Sequence, residues 1–224
     1  MEKQMIVFQN MAALENEMCE SIVRIINDTI QQKGHATLLL SGGGTPKGLY
    51  NLLSFQDLKW DKINIGLVDE RFVDGSSKYS NAKMIEEILI QNKAQRAHLT
   101  KMVFDSTHYE KNLKLVKEQY EDFKNADIVI LGMGGDGHTA SIFPKDIESE
   151  KCLSDPEPSL RNTNAPNHPE KRISLNKAFI EGAKNVILMF SGGLKKSVFE
   201  QSESEKLPIQ YFKKNLTAIY FAEN

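Results

Sequence analysis

Apolar residues along this chain alternate between two patterns. Compact apolar runs at Met5–Phe8, Ala36–Leu40, Ile63–Val68 and Ile128–Leu131 predict strands, as do Arg172–Leu175, Val186–Phe190 and Leu216–Phe221. Between them apolar positions recur at helical spacing. Leu14, Met18, Ile22, Ile25, Ile26 and Ile30 mark a helix that Gly34 closes, and Pro46 suits the first turn of another over Lys47–Leu53. Asn81–Ile90 puts Met84, Ile85, Ile88 and Leu89 on one face, and Tyr109–Phe123 reads as a charged amphipathic helix. Strands alternating with helices predict an α/β fold: a mostly parallel, Rossmann-like sheet with helices on both faces. Residues 1–224 are expected to form a single domain. The 17 residues Ser154–Glu170 hold four prolines and three asparagines without an apolar period. They are expected to be a long loop, of the kind that often covers a site, with a domain linker as the alternative.

Composition narrows the class. With 40% hydrophobic residues, 26% charged residues and a formal net charge of -2, the chain is ordinary for a globular protein and lacks the basic excess of a nucleic-acid binder. Cys19 and Cys152 are its only cysteines; they make neither a disulfide framework nor a zinc spacing. The start MEKQMIVFQN lacks a signal-peptide pattern, and no apolar stretch approaches the ~20 residues of a membrane span. A reducing, cytoplasmic setting with no membrane partner is the expectation.

Four polar or glycine-rich segments begin where an apolar strand stops, the place where parallel sheets bind ligands. Ser41-Gly42-Gly43-Gly44-Thr45 can present backbone N–H groups to an anion ahead of a helix, though a plain flexible turn fits the same residues. It matches neither the dinucleotide nor the P-loop pattern, which favours a monophosphate. Asp69-Glu70-Arg71 with Ser80-Asn81 can bind sugar hydroxyls or an anion, or form an ordinary solvated ion cluster with Ser80 as a helix cap. Gly134–Pro144 sets His138 among glycines with Asp136 two residues away, a setting suited to proton transfer. Arg172 and Lys195 are cations at later strand ends that suit phosphate, with Lys196 a competitor for the second role. No metal-binding motif accompanies His138, and no G-x-S-x-G elbow supports a covalent serine. The expected metal and cofactor complement is none.

Taken together these segments resemble the 6-phosphogluconolactonase family, within the wider group shared with glucosamine-6-phosphate deaminases. SGGGTP at Ser41 is similar to the family's phosphate loop, and DERFV at Asp69 with Ser80-Asn81 to its D-E-R-x-V…S-N block. GMGGDGHTASIFP, from Gly132 to Pro144, is the most specific match; RISLN at Arg172 and SGGLK at Ser191 follow in the family's order. The deaminase branch carries a glutamate five residues after the signature histidine, where this chain has Phe143. The resemblance therefore implies a cofactor-free lactonase acting on a small sugar-phosphate lactone, as a monomer or homodimer. On that reading His138 is the general base, Asp136 holds its ring and Arg71 stabilises the oxyanion. Ser41, Gly42, Gly43, Gly44, Thr45, Asp69, Glu70, Asn81, Arg172 and Lys195 would bind the substrate and its phosphate. An amino-sugar-phosphate deaminase or isomerase, and a non-catalytic sugar-phosphate-binding module, are the alternatives.

Overall fold

The computed structural model describes residues 3–224. The chain runs β1 (Met5–Phe8), α1 (Met11–Lys33), β2 (Ala36–Leu40), α2 (Lys47–Ser54), β3 (Ile63–Leu67), β4 (Asp69–Arg71), α3 (Asn81–Ile88), β5 (His98–Leu99) and α4 (Tyr109–Gln119). It continues through β6 (Ile128–Leu131), α5 (Ile147–Ser154), β7 (Leu160–Asn164), β8 (Lys171–Leu175), α6 (Lys177–Glu181), β9 (Asn185–Ser191), α7 (Gly193–Gln201) and β10 (Ala218–Ala222). Seven strands form one parallel sheet in the order β1-β10-β9-β6-β2-β3-β5. Every residue of β2 and β6 is buried, as the flanking of such a sheet by helices requires. The largest helix shows how local sequence and packing agree. Asn10 caps α1 by accepting from the Ala13 N–H, its buried stripe is Leu14, Met18, Ile22, Ile26 and Ile30, and Gly34 ends it at φ 85°. One buried charge ties that helix to the sheet: Asp127 lies 2.8 Å from Lys33 and accepts from the Thr37 N–H and hydroxyl at 2.9 and 3.0 Å.

A second, three-stranded antiparallel sheet, β4-β8-β7, stands at the carboxyl end of the first. It corrects two sequence expectations. Ser154–Glu170 is not one long loop: Ser154 ends α5, Leu160–Asn164 is β7, and the short turn Ala165–Pro169 returns the chain to β8. Strand β8 is antiparallel and stands outside the parallel sheet. The sequence marks β8 as a strand but not the sheet it joins, and β7 was hidden because it is polar. In β7 only Leu160 and Thr163 are buried, so no clean period-two alternation appears. Asp69-Glu70-Arg71, read as a polar segment after a strand, is itself the strand that pairs with Arg172–Ser174.

Candidate active site

Strand order reverses between β2 and β6. From β2 the chain winds outward through β3 to β5, and from β6 through β9 to β10. The loops that leave the carboxyl ends of β2 and β6 diverge there and open a crevice, the usual ligand position in such folds. A cavity of about 350 Å³ occupies it, walled by the glycine loop after β2, the signature loop after β6, the strand-end cations and the turn Ala165–Asn167. Of the residues singled out in the sequence, Ser41, Gly42, Gly43, Gly44, Thr45, Asp69, Arg71, Asn81, Asp136, His138, Arg172 and Lys195 all line it. Glu70 does not.

Neighbouring side chains fix the glycine loop from below. The Tyr50 hydroxyl donates to the Ser41 carbonyl at 2.7 Å, and Gly43 takes the left-handed φ of 92°. A Cβ on Gly42 would sit 1.9 Å from Asn81 Oδ1, so this position admits only glycine while Asn81 stays in place. Asn81 is held by its Nδ2, which donates to the Asp69 carbonyl at 2.9 Å.

In the signature loop, His138 Nδ1 lies 2.5 Å from Asp136 Oδ1. A carboxylate only accepts, so it fixes the proton on Nδ1 and leaves Nε2 with a free lone pair. Burial alone would raise the Asp136 carboxyl, but the hydrogen bond and charge of His138 outweigh it and hold it below the usual carboxylate range. Gly134 lies under the ring: a Cβ there would be 2.2 Å from His138 Nδ1 and Cε1. The Phe143 ring packs on the imidazole with centroids 4.6 Å apart.

Ser141, which the sequence reading used only as part of a motif, joins the signature loop to all three strands of the small sheet. Its hydroxyl donates to Asp69 on β4 at 2.5 Å, its N–H to the Ser174 hydroxyl on β8 at 3.3 Å, and its carbonyl accepts from Thr163 on β7 at 2.6 Å. Periodicity could not reveal this, because the partners come from three remote segments.

The cations are set by backbone. Arg71 and Arg172 face each other in the register of β4 and β8. The Arg71 guanidinium donates to the Tyr79 carbonyl at 2.8 Å and that of Arg172 to the Pro169 carbonyl at 2.8 Å. Neither makes an ion pair among the described residues. Burial pushes the Arg172 guanidinium below its ordinary value and Arg71 adds to the effect, against the pull of Asp69 and Glu70. Two opposed like charges without a carboxylate partner are unfavourable alone and favour an anion between them. Lys195 is half-buried in the cavity wall, where burial lowers its ammonium and Asp136 opposes that. Lys196 points elsewhere, 4.0 Å from Glu200.

Glu70 has a different place from the one the sequence suggested. It is buried, and its two oxygens accept from the N–H groups of Arg71, Asn81 and Ala82 at 2.7, 2.7 and 2.8 Å and from Ser80 at 3.1 Å. It thus caps the start of α3 and positions Asn81. Burial raises its carboxyl, and the three backbone donors oppose the rise.

Three buried polar atoms in the cavity wall have no partner: Ser41 Oγ, Arg71 Nε and Asn81 Oδ1. Such groups cost roughly 1–3 kcal/mol each unless something satisfies them, and a polar ligand would. Among the described residues no group of three or more His, Cys, Asp or Glu is arranged to hold a metal ion, and no helix is long and apolar enough to cross a membrane.

The family model described as glucosamine-6-phosphate isomerases/6-phosphogluconolactonase matches residues 9–220. The chain is 32% identical over 228 residues to a 6-phosphogluconolactonase of Helicobacter pylori, covering 99% of each chain. It is 33% identical over 208 residues to that of Neisseria meningitidis, covering 90% of each. The crystal structure of a 6-phosphogluconolactonase from Shewanella baltica superposes with a TM-score of 0.91 at 30% identity, over 99% of this chain and 98% of that one.

Proposed function

The chain belongs to the glucosamine-6-phosphate isomerase/6-phosphogluconolactonase family, and from that premise we propose that it hydrolyses 6-phospho-D-glucono-1,5-lactone to 6-phosphogluconate with His138 as general base. The enzyme is a hydrolase of the lactonase branch. The observation that carries the mechanism is the His138–Asp136 pair at 2.5 Å in the wall of a cation-lined cavity.

The steps follow from the chemistry of an activated ester. Nε2 of His138 takes a proton from water as its oxygen bonds to the lactone carbonyl carbon. Charge moves to the carbonyl oxygen, which Arg71 stabilises. The tetrahedral species collapses by breaking the bond to the ring oxygen, and the imidazolium returns the proton to that leaving oxygen. Asp136 keeps the ring oriented and stabilises its positive charge between the two transfers. The Ser41–Thr45 loop, Arg172 and Lys195 hold the phosphate remote from the reacting carbon, so binding energy there orients the ring. Asp69 and Asn81 are placed for sugar hydroxyls. Glu70 acts through Asn81 rather than by touching substrate.

Phe143 favours the lactonase over the deaminase. The position where the deaminase branch has a working glutamate is here an aromatic ring against His138, which has no proton to give. A cytoplasmic location fits a sugar-phosphate substrate of this kind. The test is a coupled assay on freshly generated lactone with the spontaneous rate subtracted. Turnover without ammonia release from glucosamine 6-phosphate supports the reading. Decay at the spontaneous rate together with tight 6-phosphogluconate binding would make the protein a binding module.

A further inference from the structure

We propose that Ser141 is a positioning residue for recognition of the sugar: its hydroxyl holds Asp69 so that the second carboxylate oxygen stands in the cavity as the acceptor for one ring hydroxyl. This rests on a sugar phosphate occupying the cavity, but not on His138 as the base.

Asp69 and Glu70 are adjacent and buried, yet unlike in their bonding. Glu70 receives four hydrogen bonds, which use both of its oxygens. Among the described residues the Asp69 carboxylate receives one, from the Ser141 hydroxyl to Oδ2 at 2.5 Å. Arg71 and Arg172 lie in the same pair of strands, but neither makes an ion pair with it. Oδ1 therefore has no donor from the protein, and it is not sealed from solvent. The space beside it is the cavity that Asp69 lines. An ionised carboxylate only accepts hydrogen bonds. It repels a phosphate and binds a hydroxyl, and the lactone ring offers hydroxyls at C2, C3 and C4.

The backbone and the side chain of Ser141 have separate work. Its N–H donates to the Ser174 hydroxyl and its carbonyl accepts from Thr163, bonds that need no side chain. The hydroxyl makes only the bond to Asp69. Its one proton is committed there, so Ser141 acts through that residue. The turn that presents it is a strained one. The Ile142 N–H closes the turn on the Thr139 carbonyl at 3.0 Å, and Ala140 takes a left-handed φ of 51°, unfavourable for a residue with a Cβ. Without the Ser141 hydroxyl, nothing in the protein would keep Oδ1 aimed at the ring.

Calorimetric titration of the full chain tests this without turnover. The probes are 1,5-anhydroglucitol 6-phosphate, an unreactive ring with the same hydroxyls, and its 2-, 3- and 4-deoxy forms. In the parent, one deoxy form should bind about 10- to 100-fold more weakly than the full ring, the scale of a hydrogen bond to a charged group. In Asp69→Ala that form should bind as well as the full ring. Ser141→Ala should weaken the full ring by about 3- to 10-fold and shrink the penalty for that same deoxy form, while inorganic phosphate binds as in the parent. Adding Ser141→Ala to Asp69→Ala should cost nothing further. Should Ser141→Ala not fold, Ser141→Cys, close in size but a weak donor, reads the same question. An undiminished deoxy penalty in Ser141→Ala would make the residue structural and overturn the proposal. Additive losses in the double variant, or a parent indifferent to every deoxy form, would overturn it equally. Lactone turnover is read separately: the expected binding without hydrolysis would overturn the proposed reaction and leave the Ser141 role standing.

Discussion

Replacing Gly134 by alanine adds one methyl group beneath the catalytic ring and nothing else. The added Cβ would stand 2.2 Å from His138 Nδ1 and Cε1 and 2.6 Å from Asp136 Oδ1. Ordinary contact between such atoms is about 3.5 Å, so the ring must retreat by more than an ångström or turn away from Asp136. The backbone itself tolerates alanine, since Gly134 is not among the residues with left-handed φ. The imidazole is one-third exposed and has room to move, so the strain relaxes through the catalytic pair and not through the core. A misplacement of about 1 Å at a reacting group costs on the order of 100-fold in rate. Gly134→Ala should therefore lower kcat by about that factor, with the melting temperature and 6-phosphogluconate affinity close to the parent. Steady-state kinetics in the His138→Ala background decides the cause. There the methyl group has no ring to displace and should cost little further rate, a strongly non-additive pair. Full activity of Gly134→Ala, or the same loss with and without His138, would refute the claim that ring position is what this glycine protects.

Other consequences follow from the cations, the buried glutamate and the ligand set. Arg172→Ala should weaken 6-phosphogluconate binding by roughly 10- to 100-fold and gluconate binding much less. Lys195→Ala should act in the same direction and Lys196→Ala hardly at all, and equal losses for both ligands would show a structural role instead. Glu70→Gln should lower stability by about 1–3 kcal/mol, because each carboxylate oxygen already accepts from two donors and an amide NH₂ finds no acceptor. At about 2–4 °C per kcal/mol for a chain of this size, thermal unfolding should register it, and an unchanged melting temperature would return Glu70 to the cavity. Asp136 has a depressed carboxyl in the folded state, so its contribution to stability is present above its ordinary value of about 3.9 and fades only as pH falls through the lower, folded value. The difference in stability between parent and Asp136→Asn should thus shrink as pH falls through the folded value of Asp136; a difference that stays constant or grows as the medium is made strongly acid contradicts the shift. Activity should survive dialysis against a strong chelator, and restoration by one added metal after loss would make the attacking water metal-activated.

How much of this was legible in the sequence depended on burial. Strands β2, β3, β6 and β9 lie inside the sheet, so apolar runs such as Ala36–Leu40 and Val186–Phe190 announced them directly. In the small sheet only β8 was legible, as the run Arg172–Leu175 that is buried throughout, whereas β7 buries only Leu160 and Thr163 and shows no period. Asp69-Glu70-Arg71 reads as an exposed charge cluster until β8 pairs with it. Glycine loops and the signature histidine stood out because chemistry at a strand end needs unusual residues close together. The Glu70 cap and the Ser141 junction did not stand out, because each depends on partners brought together only by folding.

The most direct test of the account is the kcat of His138→Ala on freshly generated 6-phosphogluconolactone, with the spontaneous rate subtracted and folding confirmed by thermal unfolding. The ring that Asp136 holds by Nδ1 leaves Nε2 as the base, so kcat should fall by about 100-fold or more while 6-phosphogluconate still binds. A well-folded His138→Ala enzyme that turns over at the parental rate would contradict the central claim and move the base to a carboxylate such as Asp69 or Asp136.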